Sequence, residues 1–246
     1  MRDLALVGSA VCVVGLLCSV SLAEDTTITI DFEGPPAGTV VAGALPGGGM
    51  APGDVFFFTT FSVANLGGGP SSLLIFDSTN PSGEDEDLGT PNETFGGPGV
   101  GAGGEVGTDG ENAVEQGNLL IIAEDIVDSA PEDGIVDDPD DEAGGGIITI
   151  VFEELVTVES LTILDIDDAS PTFVRLFEGP FEILEVPIFN LGNNSVQTVD
   201  LSSVTNIDNM EVRLGGSGAI DDLVFTYCSI TPVEDSSWGA IKSLYR

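Results

Sequence analysis

Apolar residues in this chain come in short runs, and no long segment before residue 235 repeats with a helical period. Eleven such runs, rich in Val, Ile, Thr and Phe, can be marked at residues 26–32, 55–61, 72–76, 118–123, 147–152, 155–166, 172–177, 181–186, 195–201, 210–214 and 219–227. β-Branched and aromatic side chains suit a pleated, half-buried surface. Gly, Pro, Asn and Asp separate the runs, which predicts many strands joined by turns. The expected fold is all-β, an antiparallel β-sandwich of jelly-roll-like form.

Three of these runs end in acid. LLIF ends on Asp77, LLIIA runs into Glu124 and Asp125, and LTILDIDD into Asp165, Asp167 and Asp168. Nothing nearby balances them. Residues 24–174 contain no Lys or Arg, and the formal net charge is -37. Nucleic acid and anionic membrane are excluded as partners, because both need a positive surface. The acids can serve divalent cations. They can also suit a salty habitat, where the Debye length falls to about 3 Å near 1 M salt. Disorder of the whole chain is argued against by a hydrophobic content of 42%.

Two long inserts carry much of the acid. Residues 78–117 include IFDSTNPSGEDEDLGTPN's polar part and GGPGVGAGGEVGTDGEN. Glycine permits turns that other residues resist, so this insert can wrap tightly around something. Residues 124–146 form the second, EDIVDSAPEDGIVDDPDDEAGGG.

Calcium takes six to eight oxygen ligands, and three places offer them. The chain ends bring Asp31 and Glu33 (IDFE) and Asp221 and Asp222 (GSGAIDDLVF), which meet if the first and last strands are neighbours. If the acidic strand ends share one rim, Asp77, Asp85, Asp87, Asn92, Asp125 and Asp165 can surround one or two cations. Packed carboxylates repel, so a divalent ion would offset a real cost. The third place, DSAPEDGIVDDPDDE, has a D-G-x-x-D-D core like the aspartate-rich loops of thrombospondin type 3 repeats. It fails the EF-hand register, since Gly134 at position six puts Ser129 at one and Pro131 at three.

Catalysis is poorly supplied. The chain has no His, hence no Ser-His or Cys-His nucleophile. Paired carboxylates can cleave a glycoside, but with so many acids some pair falls at any spacing by chance. Sugar binding lacks the usual platforms: residues 24–228 hold no Trp and one Tyr, Tyr227. Asn92-Glu93-Thr94 and Asn193-Asn194-Ser195 match the glycosylation sequon.

The ends read differently. MRDLALVGSAVCVVGLLCSVSLA has a charged start, an apolar run and a small-residue close. It is expected to be a secretory signal peptide, residues 1–23. Residues 24–228 are expected to form the β-sandwich domain, with Cys228 the one remaining Cys and so no internal disulfide. A buried thiol there is the favoured reading. Residues 229–246 form a tail expected to contain a short helix, with Trp238, Ile241 and Tyr245 near one face.

The blocks IDFEGPPAGT, IFDSTNPSGEDEDLGTPN with GGPGVGAGG, and LGGSGAIDDLVF resemble a group of exported, mostly bacterial β-sandwich proteins of unknown function. In outline the chain is also similar to calcium-stabilised carbohydrate-binding modules. The resemblance implies an extracellular or cell-surface β-sandwich and no particular reaction. The expectation is therefore a secreted, calcium-binding, non-catalytic structural or binding module. A carbohydrate-binding module for extracellular polysaccharide is the runner-up, and a glycan-active enzyme comes third. Calcium is the expected cofactor, and polysaccharide or a cell-surface protein the further partner.

Overall fold

The computed structural model describes residues 24–46, 50–52, 58–82, 85–129 and 131–229. The expected signal segment and the tail beyond residue 229 lie outside the described residues. Twelve strands follow one another: β1 (Glu24–Ile30), β2 (Val40–Ala44), β3 (Met50–Pro52), β4 (Thr59–Asn65), β5 (Ser72–Asp77), β6 (Asn118–Ile122), β7 (Gly146–Leu164), β8 (Phe173–Glu178), β9 (Phe181–Pro187), β10 (Val196–Asp200), β11 (Ile207–Leu214) and β12 (Ala219–Ser229). The only helical elements among the described residues are three-residue 3-10 turns. No helix there is long and apolar enough to cross a membrane. The protein is all-β, and every strand pairing with a given register is antiparallel.

The strand β7 organises the pairing. Its first half, up to Phe152, lies between β4 and β11. Its second half, from Val156, lies between β12 and β10. Beyond β11 come β8 and β9; beyond β12 come β6, β5, β2 and β3, with β1 also on β12. The sequence suggested two strands here, at 147–152 and 155–166. Glu153 and Glu154 break the apolar alternation, and both are exposed. The backbone stays extended through them because this is where β7 exchanges one pair of partners for the other. Two strands were not anticipated: β2 (VVAGA) and β3 (MAP) are short and carry no clear alternation.

Alternation along β5 and β6 divides the core in two. Leu73, Ile75, Leu120 and Ile122 face the larger apolar cluster, shared with Ile148, Val174, Met210 and Phe225. Leu74, Phe76, Leu119 and Ile121 face a smaller cluster on the other side. Both faces are thus buried, which is why LLIF and LLII read as unbroken apolar runs. Two loop residues complete the smaller cluster: Leu88, from the first insert, and Val136, from the second. Burial of a Leu of this kind contributes about 2 kcal/mol. These anchors draw both acidic inserts onto one face of the sheet.

Cys228 is exposed rather than buried. It lies past Tyr227, the last β12 residue with a register partner on β7. Tyr227 itself packs on Phe58, ring centroids 5.3 Å apart.

Candidate metal site

Four segments meet beside the smaller apolar cluster. Asp85 precedes a 3-10 turn, Glu86–Leu88, that Leu88 pins into that cluster. Asp140 and Asp141 lie in the last third of the second insert. A bridge between Ala123 and Asp141 prolongs β6 across them, with Glu124 N donating to Asp140 O and Glu142 N to Ile122 O. Asp165 directly follows β7 at φ 59°, and its N–H donates to Ser195 O. Ser217 and Gly218 come from the β11–β12 turn.

One oxygen each from Asp85, Asp140 and Asp141 lies within 4.8 Å of the others. Two oxygens bound to one calcium, each at 2.3–2.6 Å, are separated by at most about 5 Å. The spacing therefore suits a single hard cation. Asp85 is 8% exposed and Asp141 5%. The Asp141 N–H donates to Asp85 Oδ2 at 3.0 Å, and the Gly218 N–H to Asp141 Oδ2 at 2.5 Å. Ser217 Oγ lies 2.8 Å from Asp141 Oδ2 and 3.1 Å from Asp165 Oδ2, and its one proton serves one of them. The Asn194 N–H donates to Asp165 Oδ1 at 2.6 Å. A buried oxygen of Asp87, Oδ1, has no hydrogen-bond partner.

The electrostatics follow from burial without a counter-ion. Residues 24–229 contain two positive side chains, Arg175 and Arg213. Arg175 pairs with Glu182 and Glu185 on the β8–β9 hairpin, and Arg213 lies over the Phe173 ring. Burial pushes the Asp85 carboxyl up to about 9, helped by the charge of Asp141. Burial pushes Asp165 up to about 8, with the charge of Asp87 next. Asp141 reaches about 7; burial raises it, and the Gly218 and Ser217 hydrogen bonds partly hold it down. Burial raises Asp87 too. Desolvated like charges favour the protonated form. A bound cation would reverse that preference.

Of the residues singled out from sequence, Asp85, Asp87 and Asp165 come together here. Asp140 and Asp141 lie within the third acidic stretch, where nothing local in DDPDDE distinguishes them; the bridge of Asp141 to Ala123 does. Asp77 and Asp125 cap turns instead, accepting from Thr79 and from Val127 N–H. The upper part of the second insert is likewise closed on itself: Asp128 accepts from the N–H groups of Asp133 and Gly134, and Asp137 from Ser129.

Asn92 is buried in a neutral network whose centre, Asn194, sequence reading marked only as part of a sequon. Asn194 Nδ2 donates to Asp87 O at 2.6 Å and Gly89 O at 2.8 Å. Its Oδ1 accepts from Asn92 Nδ2 at 2.8 Å and Asn112 Nδ2 at 3.1 Å. Glycines let the first insert close around this residue. A Cβ on Gly99 would strike Gly89 O and Asn194 Nδ2, and one on Gly104 would strike Asn194 O. The insert does wrap tightly around something, and that something is the side chain of Asn194. The chain-end acids, Asp31, Glu33, Asp221 and Asp222, form a separate group, since Asp31 and Glu33 follow β1 and β1 pairs β12.

No protein-family model matches the chain, and no curated protein sequence does. Among solved structures it is similar to a chain described as CpGH89CBM32-6 produced by Clostridium perfringens, at 12% identity and a TM-score of 0.26, over 37% of this chain and 74% of that one.

Proposed function

We propose that this protein is an exported, calcium-binding β-sandwich of jelly-roll-like form, a non-catalytic structural or binding module at the cell surface or outside the cell. One observation carries the reading: Asp85, Asp140 and Asp141 converge within 4.8 Å, largely buried, from two separate loops. An ion there ties both acidic inserts to the end of β6. Calcium fits because every ligand is oxygen and no His or described Cys is near to favour a softer metal. Burial of the acids leaves room for an ion rather than a polysaccharide, which argues against a glycan-cleaving pair in this place.

The test is a set of thermal melts in chelator, in calcium, and in sodium chloride of equal ionic strength. A site of about 0.1 mM dissociation constant in about 10 mM calcium adds roughly 2.7 kcal/mol. For a domain of this size that raises Tm by about 5–10 °C. The double substitution Asp85→Asn with Asp141→Asn should abolish the rise. Equal rises in both salts would mean simple screening of a salt-adapted surface, and the reading would fall.

Polysaccharide binding has one observation in its favour. Phe189, 70% exposed, borders a groove of about 220 Å³ with Pro187, Gln197 and Asp200. An exposed ring beside polar groups can stack on a sugar. Binding to soluble glycans that is lost in Phe189→Ala would favour this reading; glycan binding unchanged by that substitution would remove it.

A further inference from the structure

The chain ends present a second set of carboxylates that shares no residue with the first. Asp221 lies in β12, at an irregularity in register between Asp221 and Val224. It is 2% exposed, and its buried Oδ1 has no hydrogen-bond partner. Buried polar atoms in folded proteins are nearly always partnered, so an orphan carboxylate oxygen calls for an explanation. Three further acids bear on it. The charges of Asp222, Glu33 and Asp31 all add to the effect of burial on Asp221.

The loop after β1 is held in place for this. Glu33 Oε1 accepts the Asn118 N–H at 2.8 Å. The Asn118 amide donates to Phe32 O at 3.3 Å and Pro35 O at 3.0 Å. Glu33 is thereby fixed by one oxygen with the other to spare. Asp31 and Glu33 are exposed and Asp222 half-buried, so they form the open side of the group. Their oxygens are more widely spread than those of the first cluster, which is the one carboxylate trio within 4.8 Å among the described residues. Asp31 and Glu33, being exposed, can turn toward a common cation.

We propose that Asp221 is the buried anchor of a second divalent-cation site, completed by Asp222 from β12 and by Asp31 and Glu33 from the loop after β1. The ion supplies the partner that Asp221 Oδ1 lacks. It also clasps the first strand to the last, so that β1 is held by a metal as well as by its backbone pairing.

Calcium titration of the whole protein by isothermal calorimetry tests this, with hydrogen exchange of the β1 amides as a second readout. The exposed pair Asp31→Asn with Glu33→Gln is the main variant, because it disturbs no core. It should lower the calcium stoichiometry by one ion per chain, or weaken one binding step at least tenfold. It should also remove the slowing of β1 exchange that calcium brings to the unaltered protein. Asp221→Asn should do the same. Asp85→Asn with Asp141→Asn should leave the β1 effect intact, which separates the two sites. Unchanged stoichiometry and affinity in the Asp31/Glu33 variant would overturn the proposal. So would loss of all calcium binding in the Asp85/Asp141 variant. Retention of full stoichiometry in the Asp85/Asp141 variant would instead remove the first site and leave this one standing.

Discussion

Two polar assemblies adjoin beneath the first insert, and they are built on opposite terms. Around Asn194 both amide protons and both carbonyl lone pairs find partners. That is the full hydrogen-bonding capacity of an Asn side chain. Around Asp85, Asp141 and Asp165 every side chain is an acceptor when ionised. The donors that reach these three include the N–H groups of Asp141, Asn194 and Gly218 and the Ser217 hydroxyl. A closed neutral network orders the loop by itself. A carboxylate cluster in the same place does so only when protons or a cation supply the missing positive charge. Asn194 belongs to both, since its backbone N–H serves Asp165 while its side chain serves the loop.

The strongest way to break the comparison is to empty the neutral half. Asn194→Ala takes from Asp87 O the donor that Asn194 supplies and unpairs one amide proton each of Asn92 and Asn112, while Gly89 O keeps Asn112 Nδ2 and Asn92 Nδ2 keeps Gly101 O. It also puts Ala at φ 63°, a region Asn tolerates better. The cost should be about 3–5 kcal/mol, a fall in Tm of roughly 10 °C or more. The fall should be equally large in chelator and in calcium, measured by thermal melts. A loss confined to chelator would mean that the ion, and not the amides, orders the loop.

The charged half is probed by pH. Asp85, Asp141 and Asp165 have folded-state carboxyls at about 9, 7 and 8. Unfolded, they titrate near 4. The folded state therefore binds more protons between pH 4 and 9, and stability falls as pH rises through that window. For each pH unit over which one carboxyl stays protonated only in the folded state, the loss is about 1.4 kcal/mol. In chelator Tm should fall progressively from pH 5 to pH 9. In calcium the fall should shrink or reverse, because metal binding competes with protons. A flat profile in chelator would mean that the cluster is not buried in solution.

How much of this was legible depends on whether a signal is local. Most strands were, because β-branched runs between turn residues carry their own pattern, but the short β2 and β3 were not. Leu88 was not, since one Leu in DEDLGT gives no sign of reaching a core. Asp165 stood out as acid at the end of an apolar run, and Asp85 and Asp87 as acids of the insert that follows one. Asp140 and Asp141 are chosen among many acids by one bridge to Ala123, a long-range fact. Asn194 left a faint trace: Asn beside Gly in LGNNS is what a left-handed turn prefers. What it holds lies some hundred positions away in the chain, at Asp87 and Gly89.

The smallest expected effect tests whether acid alone makes a ligand. Asp77 and Asp125 follow apolar runs in sequence, but β5 and β6 are antiparallel, which puts the two acids at opposite ends of the pair instead of on one rim, and each caps its own turn. An Asx turn needs an acceptor oxygen and not a charge, so Asn can replace Asp in it. Asp77→Asn and Asp125→Asn should each change stability by less than about 0.5 kcal/mol. Each should leave the calcium-induced rise in Tm unchanged, while Asp85→Asn with Asp141→Asn removes it. If Asp125→Asn also lowered the calcium response, the ion would reach beyond the trio of Asp85, Asp140 and Asp141 to the segment that follows β6.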